Sequence, residues 1–222
     1  MTGSVVRHLI WKDLRLHRFQ VAITVAAGLS ALAVLQRGGE VAFVLGSTWY
    51  FVAIIVLSSM LPIAAIVNER KKQTITFLMS LPISCAQYTT AKLVSSLLMF
   101  LTPWLMLVVC AAVLVVNGNA GGLIPMLLIL AMLPVVGFSF ILGTSLVSES
   151  EGWAIAATVI CNSSYGISWY LLSRVPALTA NWNGKIATWN PAVQRVLAGE
   201  LGLVALIITL TFCLQSRKRD FI

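Results

Sequence analysis

The chain has 222 residues, of which 59% are hydrophobic and only 10% are charged, and its mean hydropathy is +0.94. A soluble domain carries about 25% charged residues, so this composition excludes an ordinary soluble enzyme and predicts an integral membrane protein. The formal net charge is +8. Because no RNA- or DNA-binding motif accompanies that charge, we expect no nucleic-acid partner.

Apolar runs separated by short polar segments predict six transmembrane helices. Each run is close to the roughly 20 residues that a helix needs to cross the hydrocarbon core, and only helices satisfy the backbone groups of such runs in lipid. The six runs cover residues 19–35, 41–67, 93–116, 123–147, 153–172 and 196–214. We therefore predict an all-α integral membrane protein that forms a single transmembrane domain over residues 1–222.

The positions of lysine and arginine predict the orientation of these spans. Of the 15 basic residues, eleven fall on one side of the predicted membrane and four on the other. Cytoplasmic loops carry the excess of positive charge, so we expect both termini in the cytoplasm and the chain in the inner or cytoplasmic membrane. The eleven are Arg7, Lys12, Arg15, Arg18, Arg70, Lys71, Lys72, Lys92, Arg217, Lys218 and Arg219, and the four are Arg37, Arg174, Lys185 and Arg195.

Residues 4–18, before the first span, have the pattern of an amphipathic helix. At about 100° per residue the basic side chains fall on one half of the helix, and Asp13 and His17 interrupt the apolar half. That apolar half consists of Val5, Val6, Leu9, Ile10, Leu14 and Leu16. The pattern predicts a helix in the inner membrane interface, with a basic flank that only orients the first span as the alternative.

The connection between the second and third spans, residues 69–92, is too structured for a plain loop. It reads "ERKKQTITFLMSLPISCAQYTTAK". Ile75, Leu78 and Leu81 recur at helical spacing, and Pro82 ends that helix because proline disfavours helix at the preceding residue. Ser84 then stands three residues before Gln87, which is the spacing of a capping box that starts a second helix. We predict a helix, a proline turn and a second helix at the cytoplasmic face.

This connection resembles the coupling-helix loop of type-2 ABC transporter permeases. That family has an acidic–basic pair, a threonine, an apolar pair, Leu-Pro with a small apolar residue and serine, then an aromatic residue and a lysine. Two positions depart from the pattern: Gln73 stands where glycine is frequent, and Cys85 where arginine is frequent. The N-terminal "LIWKDLRLHR" also resembles the family's interfacial helix. The matching residues are Glu69, Arg70, Thr74, Phe77, Leu78, Leu81, Pro82, Ile83, Ser84, Tyr88 and Lys92.

The resemblance implies a permease subunit that pairs with a second copy of itself or with a related permease. Each permease would rest on a separate ATP-binding subunit through this loop, so two ATP-binding subunits would bind ATP and magnesium. The chain has no G-x-x-x-x-G-K-[ST] phosphate loop and is expected to have no catalytic activity and no cofactor of its own. The family further implies export, and the uncharged spans favour an amphipathic or hydrophobic cargo such as a peptide, drug or lipid-like molecule.

Other classes of membrane protein were weighed against the permease. The histidines, His8 and His17, lie near the N-terminus, so no serine in a span has the partner that a protease needs. No HExxH motif occurs, and the four cysteines have no metal-ligand spacing, so no metal site is predicted. Proton relays and ion-coupled transporters carry ionisable residues at depth, and the span interiors are expected to have none. A channel or scaffold subunit remains the alternative.

Polar residues within two spans are candidates for a substrate path. In the second span they are Ser58 and Ser59, and in the fifth they are Asn162, Ser163 and Tyr165. Hydrogen bonding between helices by small polar residues, worth about 0.6 kcal/mol each, is the equally weighted alternative.

Two further features concern prolines and the outer face. Pro125 and Pro134 predict kinks in the fourth span. The segment 173–195 is too long for a simple turn, and its Asn190-Pro191 pair predicts the start of a short helix that leads into the sixth span.

Overall fold

A computed structural model describes residues 2–67, 85–148, 150–182 and 184–216 of the chain. Those residues form helices and short connections, and no strand occurs among them. The α-helices are α1 (Thr2–Leu35), α2 (Glu40–Pro62), α3 (Cys85–Asn117), α4 (Ile124–Val147), α5 (Glu151–Ser173), α6 (Pro176–Thr179) and α7 (Pro191–Ser216). A π-helical turn, Ile63–Val67, continues α2, and a 3₁₀ turn, Gly121–Leu123, precedes α4.

Five segments are long and apolar enough to cross a membrane, which confirms the prediction of an all-helical, multi-pass membrane protein. They are Arg7–Leu35, Glu40–Val67, Tyr88–Asn117, Gly121–Val147 and Pro191–Gln215. The fifth predicted span, α5, is a helix of 23 residues, or about 34 Å at 1.5 Å per residue. It is not among the five because Asn162, Ser163, Ser164 and other polar residues lower its hydropathy.

The core of the bundle lies around α2 and α4. Most of these two helices is buried inside the bundle, whereas α1 and α7 keep most of their surface exposed. In the main cluster Phe100 of α3 stacks on Phe138 of α4 with ring centroids 4.3 Å apart, and Leu57 and Leu61 of α2 pack beside them. The chain alone thus buries two helices and leaves the outer ones facing their surroundings.

A glycine sets the close approach of α1 to α3. A Cβ atom on Gly28 would lie 2.6 Å from a methyl carbon of Leu107, which is well inside van der Waals contact. Small residues let helix backbones approach each other in this way in membranes. Leu107 is fully buried there beside Ala31 and Leu32.

The N-terminal segment is helical and continuous with the first span. The predicted interfacial helix at residues 4–18 forms the first part of α1, which runs from Thr2 to Leu35 without interruption, because no glycine or proline stands between the two parts. Asp13 and His17 are buried together with Leu9, whereas Leu16 is 59% exposed. The side chains of Val5 and Val6 lie outside the described residues.

The proline predictions have mixed outcomes. Pro134 lies inside α4, as expected, but Pro125 lies in the first turn of that helix, where its missing N–H costs no helical hydrogen bond. Pro191 begins α7, and the side chain of Asn190 caps it by accepting the backbone N–H of Val193 at 2.9 Å. The expected cap is confirmed, although it starts α7 itself rather than a separate short helix.

Candidate functional site

Most of the predicted coupling loop lies outside the described residues. This applies to Glu69, Arg70, Thr74, Phe77, Leu78, Leu81 and Pro82, whose roles stay predictions. The two remaining coupling residues, Tyr88 and Lys92, lie on the first turns of α3, and both are buried. The structure therefore describes where the loop leaves α2 and where it enters α3.

Lys92 is the centre of a buried polar cluster at these two points. Its side chain is 2% exposed, and its Nζ donates to Oδ2 of Asp13 on α1 at 2.9 Å. The same Nζ donates to the backbone carbonyl of Ala65 at 3.2 Å. Through its Nζ atom, Lys92 therefore connects α3 to α1 and to the π turn that continues α2.

Asp13 receives a second hydrogen bond within this cluster. Ser95, one turn after Lys92 on α3, donates its hydroxyl to the same Oδ2 at 3.0 Å. The other carboxylate oxygen, Oδ1, is buried without a hydrogen-bond partner among the described residues. Removing one member of such a buried pair leaves an uncompensated charge and costs about 3–5 kcal/mol, so the pair fixes α1 against α3.

The carbonyl of Ala65, which accepts from Lys92, lies in the turn that continues α2. The turn is π-helical from Ile63 to Val67, and π turns within helices often occur at functional sites.

The sequence contained part of the signal for this cluster. In the sequence Asp13 interrupts an apolar half and Lys92 belongs to the coupling motif, but nothing in the sequence pairs the two. Asp13 is a single acidic residue on the buried side of one helix, and Lys92 is a single lysine at the start of another. Their opposite charges make them candidates for an ion pair. The pairing also depends on α1 packing on α3, which the sequence does not specify.

Four of the five predicted path residues come together where α2 and α4 meet α5. The hydroxyl of Ser59 on α2 lies 3.2 Å from the side-chain oxygen of Asn162 on α5, and 3.0 Å from the carbonyl of Ile55. Ser58 donates to the carbonyl of Ile55 at 2.8 Å. These contacts fit the alternative interpretation, in which the serines stabilise helix packing.

Tyr165 lies over Gly137 of α4, where any side chain would collide with its hydroxyl. That hydroxyl approaches Ser58 but makes no well-formed hydrogen bond among the described residues. Ser163 is exposed and is not part of the group. The polar group therefore comprises Ser58, Ser59, Asn162 and Tyr165, at the junction of α2, α4 and α5.

The prediction that the spans contain no ionisable residue is wrong, because Glu200 lies inside the sixth predicted span, residues 196–214. Asp13 and Lys92 lie outside the predicted spans, 19–35 and 93–116, but they are buried within the longer described segments that are apolar enough to cross a membrane. Glu200 lies in the middle of α7 and is 7% exposed, and its Oε2 has no hydrogen-bond partner among the described residues. Glu200 was readable from the sequence, because it is the only acidic residue in the run "VLAGELGLVAL".

The described residues hold no group of three or more histidine, cysteine, aspartate or glutamate side chains that would bind a metal ion. No family model, curated protein or solved structure matches the chain. The arrangement within the chain therefore has to support any functional conclusion.

Proposed function

We propose that the chain is the membrane permease subunit of an ABC transporter that exports an amphipathic or hydrophobic cargo. In this proposal the chain has six spans, α5 being one of them, and both termini are cytoplasmic. A separate ATP-binding subunit docks on the loop of residues 69–92 and hydrolyses ATP, and a second permease completes the transporter.

The observation that best supports the proposal is the cluster of Lys92, Asp13 and the Ala65 carbonyl. Ala65 lies just before the loop and Lys92 is its last residue, and the ammonium group of Lys92 connects both to α1. A force applied to the loop would therefore reach three helices together. This is the connection that a docking segment needs if movement of its partner is to reorient the spans.

The mechanism follows from that connection. Closure of the ATP-binding subunits around nucleotide would push the loop, and the cluster would move the ends of α1, α2 and α3 as one body. Packed helices change between discrete arrangements rather than deforming continuously. The spans would then alternate between arrangements open to opposite sides of the membrane.

Glu200 favours a second candidate function, a transporter driven by an ion gradient. Buried carboxyls within spans are frequent in proton relays and ion-coupled transporters, and the argument against that class rested on their absence. The resemblance of the loop and the cluster at its two ends keep the ABC permease as the preferred function. An ATP-binding partner is the property that separates the two candidates.

The test is to purify the chain from its native membrane in mild detergent and to identify co-purifying proteins by mass spectrometry. We expect an ATP-binding-cassette subunit. Replacing Leu78 and Leu81 with aspartate should remove it, because both lie on the apolar side of the predicted docking helix. Ser80→Asp is the matched control, since it adds a charge on another side and should retain the partner. A stable, folded chain without such a partner would contradict the proposal.

A further inference from the structure

One side of α7 forms a continuous contact with α4, called here the α4–α7 seam. At one end Val193 and Val196 pack with Ile129 of α4, and Val204 packs on the main core cluster, which includes Val135. Further along, a Cβ atom on Gly143 would lie 3.7 Å from the Cβ of Thr211. The seam positions on α7 lie on one side of the helix and are Val193, Val196, Leu197, Glu200, Val204, Ile207 and Thr211.

Glu200 lies in the middle of this seam. It follows Val196 by four residues and precedes Val204 by four, so it faces the part of α4 between Ile129 and Val135. That part contains Pro134, whose missing N–H leaves the carbonyl of Leu130 without its helical donor. Glu200 is 7% exposed and its Oε2 is buried, in the interior of a segment apolar enough to span the membrane.

No described positive charge faces this carboxyl. Neither α4 nor α6 has any ionisable side chain, and Arg195 on α7 itself is exposed. The part of α3 at the same depth in the bundle is the turn around Trp104, because the Trp104 side chain donates to the Ala131 carbonyl of α4 at 2.8 Å. Lys92 lies twelve residues from Trp104, about 18 Å along the helix, and contacts Asp13. The other ionisable groups of α3 are Cys85, Tyr88 and Cys110.

A carboxylate cannot remain charged at low cost in such a place. An unpaired buried charge is far more costly than a neutral polar group, and buried groups usually avoid the cost by changing protonation state. A proton is also the one cation that needs no space in a packed seam. We propose that Glu200 is a proton-binding site inside the membrane, neutral while α7 packs on α4 and ionised when the seam opens to water.

The proposal predicts a direction for the effect of pH. The proton is held in the packed seam and released in the opened one, so acid favours the packed arrangement and alkali favours the opened one. Any transport cycle that separates α7 from α4 would take up and release one proton at this position. This inference holds for either candidate function and does not require an ATP-binding partner.

The protonation state is tested by infrared difference spectroscopy of the full chain in lipid nanodiscs at neutral pH. Subtracting the spectrum of the Glu200→Gln variant from that of the natural chain should leave the C=O band of a protonated carboxylic acid. A carboxylate band in its place would overturn the proposal. The amide is nearly isosteric with the acid, so the variant is expected to fold.

A second measurement needs no variant. Dicyclohexylcarbodiimide reacts with protonated carboxyls in apolar surroundings, and peptide mass spectrometry locates the product. Glu40 and Glu151 are exposed to water rather than enclosed by apolar side chains, so Glu200 should be modified at least about tenfold more than either. Equal modification of all three, together with a carboxylate band, would refute the protonated state.

Opening of the seam is tested by a disulfide between Gly143→Cys and Thr211→Cys. The Cβ separation of 3.7 Å suits a disulfide, and the natural cysteines are first replaced. The rate of disulfide formation, divided by the rate in the same chain with Glu200→Gln, should fall as pH rises. The ratio cancels the ordinary effect of pH on thiols. A ratio that does not change with pH would contradict opening linked to proton release.

Discussion

Asp13 and Glu200 are both acidic residues buried in the helical bundle, but their surroundings differ. Asp13 receives hydrogen bonds from Lys92 and Ser95, and the lysine also reaches the Ala65 carbonyl. Glu200 lies between apolar side chains of α4 and α7 with no donor to its Oε2 among the described residues. The first carboxyl has a fixed cationic partner, whereas no ion pair of Glu200 occurs within the part of the chain that the structure describes.

This difference suggests that Asp13 has a structural role and that Glu200 exchanges a proton. A buried pair holds its charge because each partner stabilises the other, so it joins helices firmly and is costly to break. A buried carboxyl without a partner has to become neutral or find a cation. The first arrangement suits a connection between a loop and three helices, and the second suits a group that changes its protonation state.

The largest expected effect comes from removing the charge of Asp13. Asp13→Asn should destabilise the chain by about 3–5 kcal/mol, because Lys92 would be left charged and buried without its partner. Thermal or denaturant unfolding in one detergent measures this loss. Replacing both residues together, as Asp13→Leu with Lys92→Met, should recover most of the stability. No recovery in the double variant would show that the two side chains do not act as a pair.

A smaller loss is expected from Ser95→Ala. The serine hydroxyl donates to a charged oxygen, and hydrogen bonds to charged groups contribute about 1.5–3 kcal/mol. Its neighbour Ser96 provides the control, because its hydroxyl is buried without a partner among the described residues. Ser96→Ala should leave the unfolding midpoint almost unchanged. Equal losses for the two serines would place Ser95 outside the cluster.

A neutral hydrogen bond between helices provides the next comparison. Ser59→Ala removes the contact with Asn162 and should cost about 0.6 kcal/mol, the average for such bonds in membrane helices. Ser163→Ala, on the exposed side of the same α5, should cost nothing measurable. If Ser59→Ala instead changes transport at unchanged stability, the substrate-path interpretation gains over the packing interpretation.

The smallest effect is expected from Glu200→Gln. If the glutamate is already neutral in the packed seam, the amide should change stability by no more than about 0.5 kcal/mol at neutral pH. Asp13→Asn is the matched comparison, since both changes replace an acid with its amide. A loss at Glu200 as large as that at Asp13 would mean that Glu200 is charged and has a partner, and the contrast between the two would disappear.

Hydropathy predicted the helices well because each helix depends mainly on its own sequence. The bounds of the second span, residues 41–67, agree with α2 and its π turn, and Asn190 and Pro191 start α7 as expected. The amphipathic N-terminal pattern and the first apolar run share one continuous helix, α1. The helix continues without a break from Arg18, the last residue of the amphipathic part, to Phe19, the first residue of the apolar run.

The buried charges were harder to predict for two different reasons. Asp13 and Lys92 are 79 positions apart, and only the packing of α1 against α3 brings them together. Glu200 required no tertiary information, because an acidic residue within a predicted span is already a signal of function. Four of the five predicted path residues come together because Asn162 and Tyr165 of α5 approach α2 and α4, which the order of the spans does not specify.

The docking of an ATP-binding subunit on residues 69–92 is the central functional claim, and ATP hydrolysis by the purified material tests it most directly. Material purified with the natural chain from native membranes should hydrolyse ATP, and material purified with the Leu78→Asp, Leu81→Asp chain should not. The Ser80→Asp chain should retain the activity. The account would be contradicted if the natural chain is folded and its purified material does not hydrolyse ATP under conditions that preserve other membrane complexes.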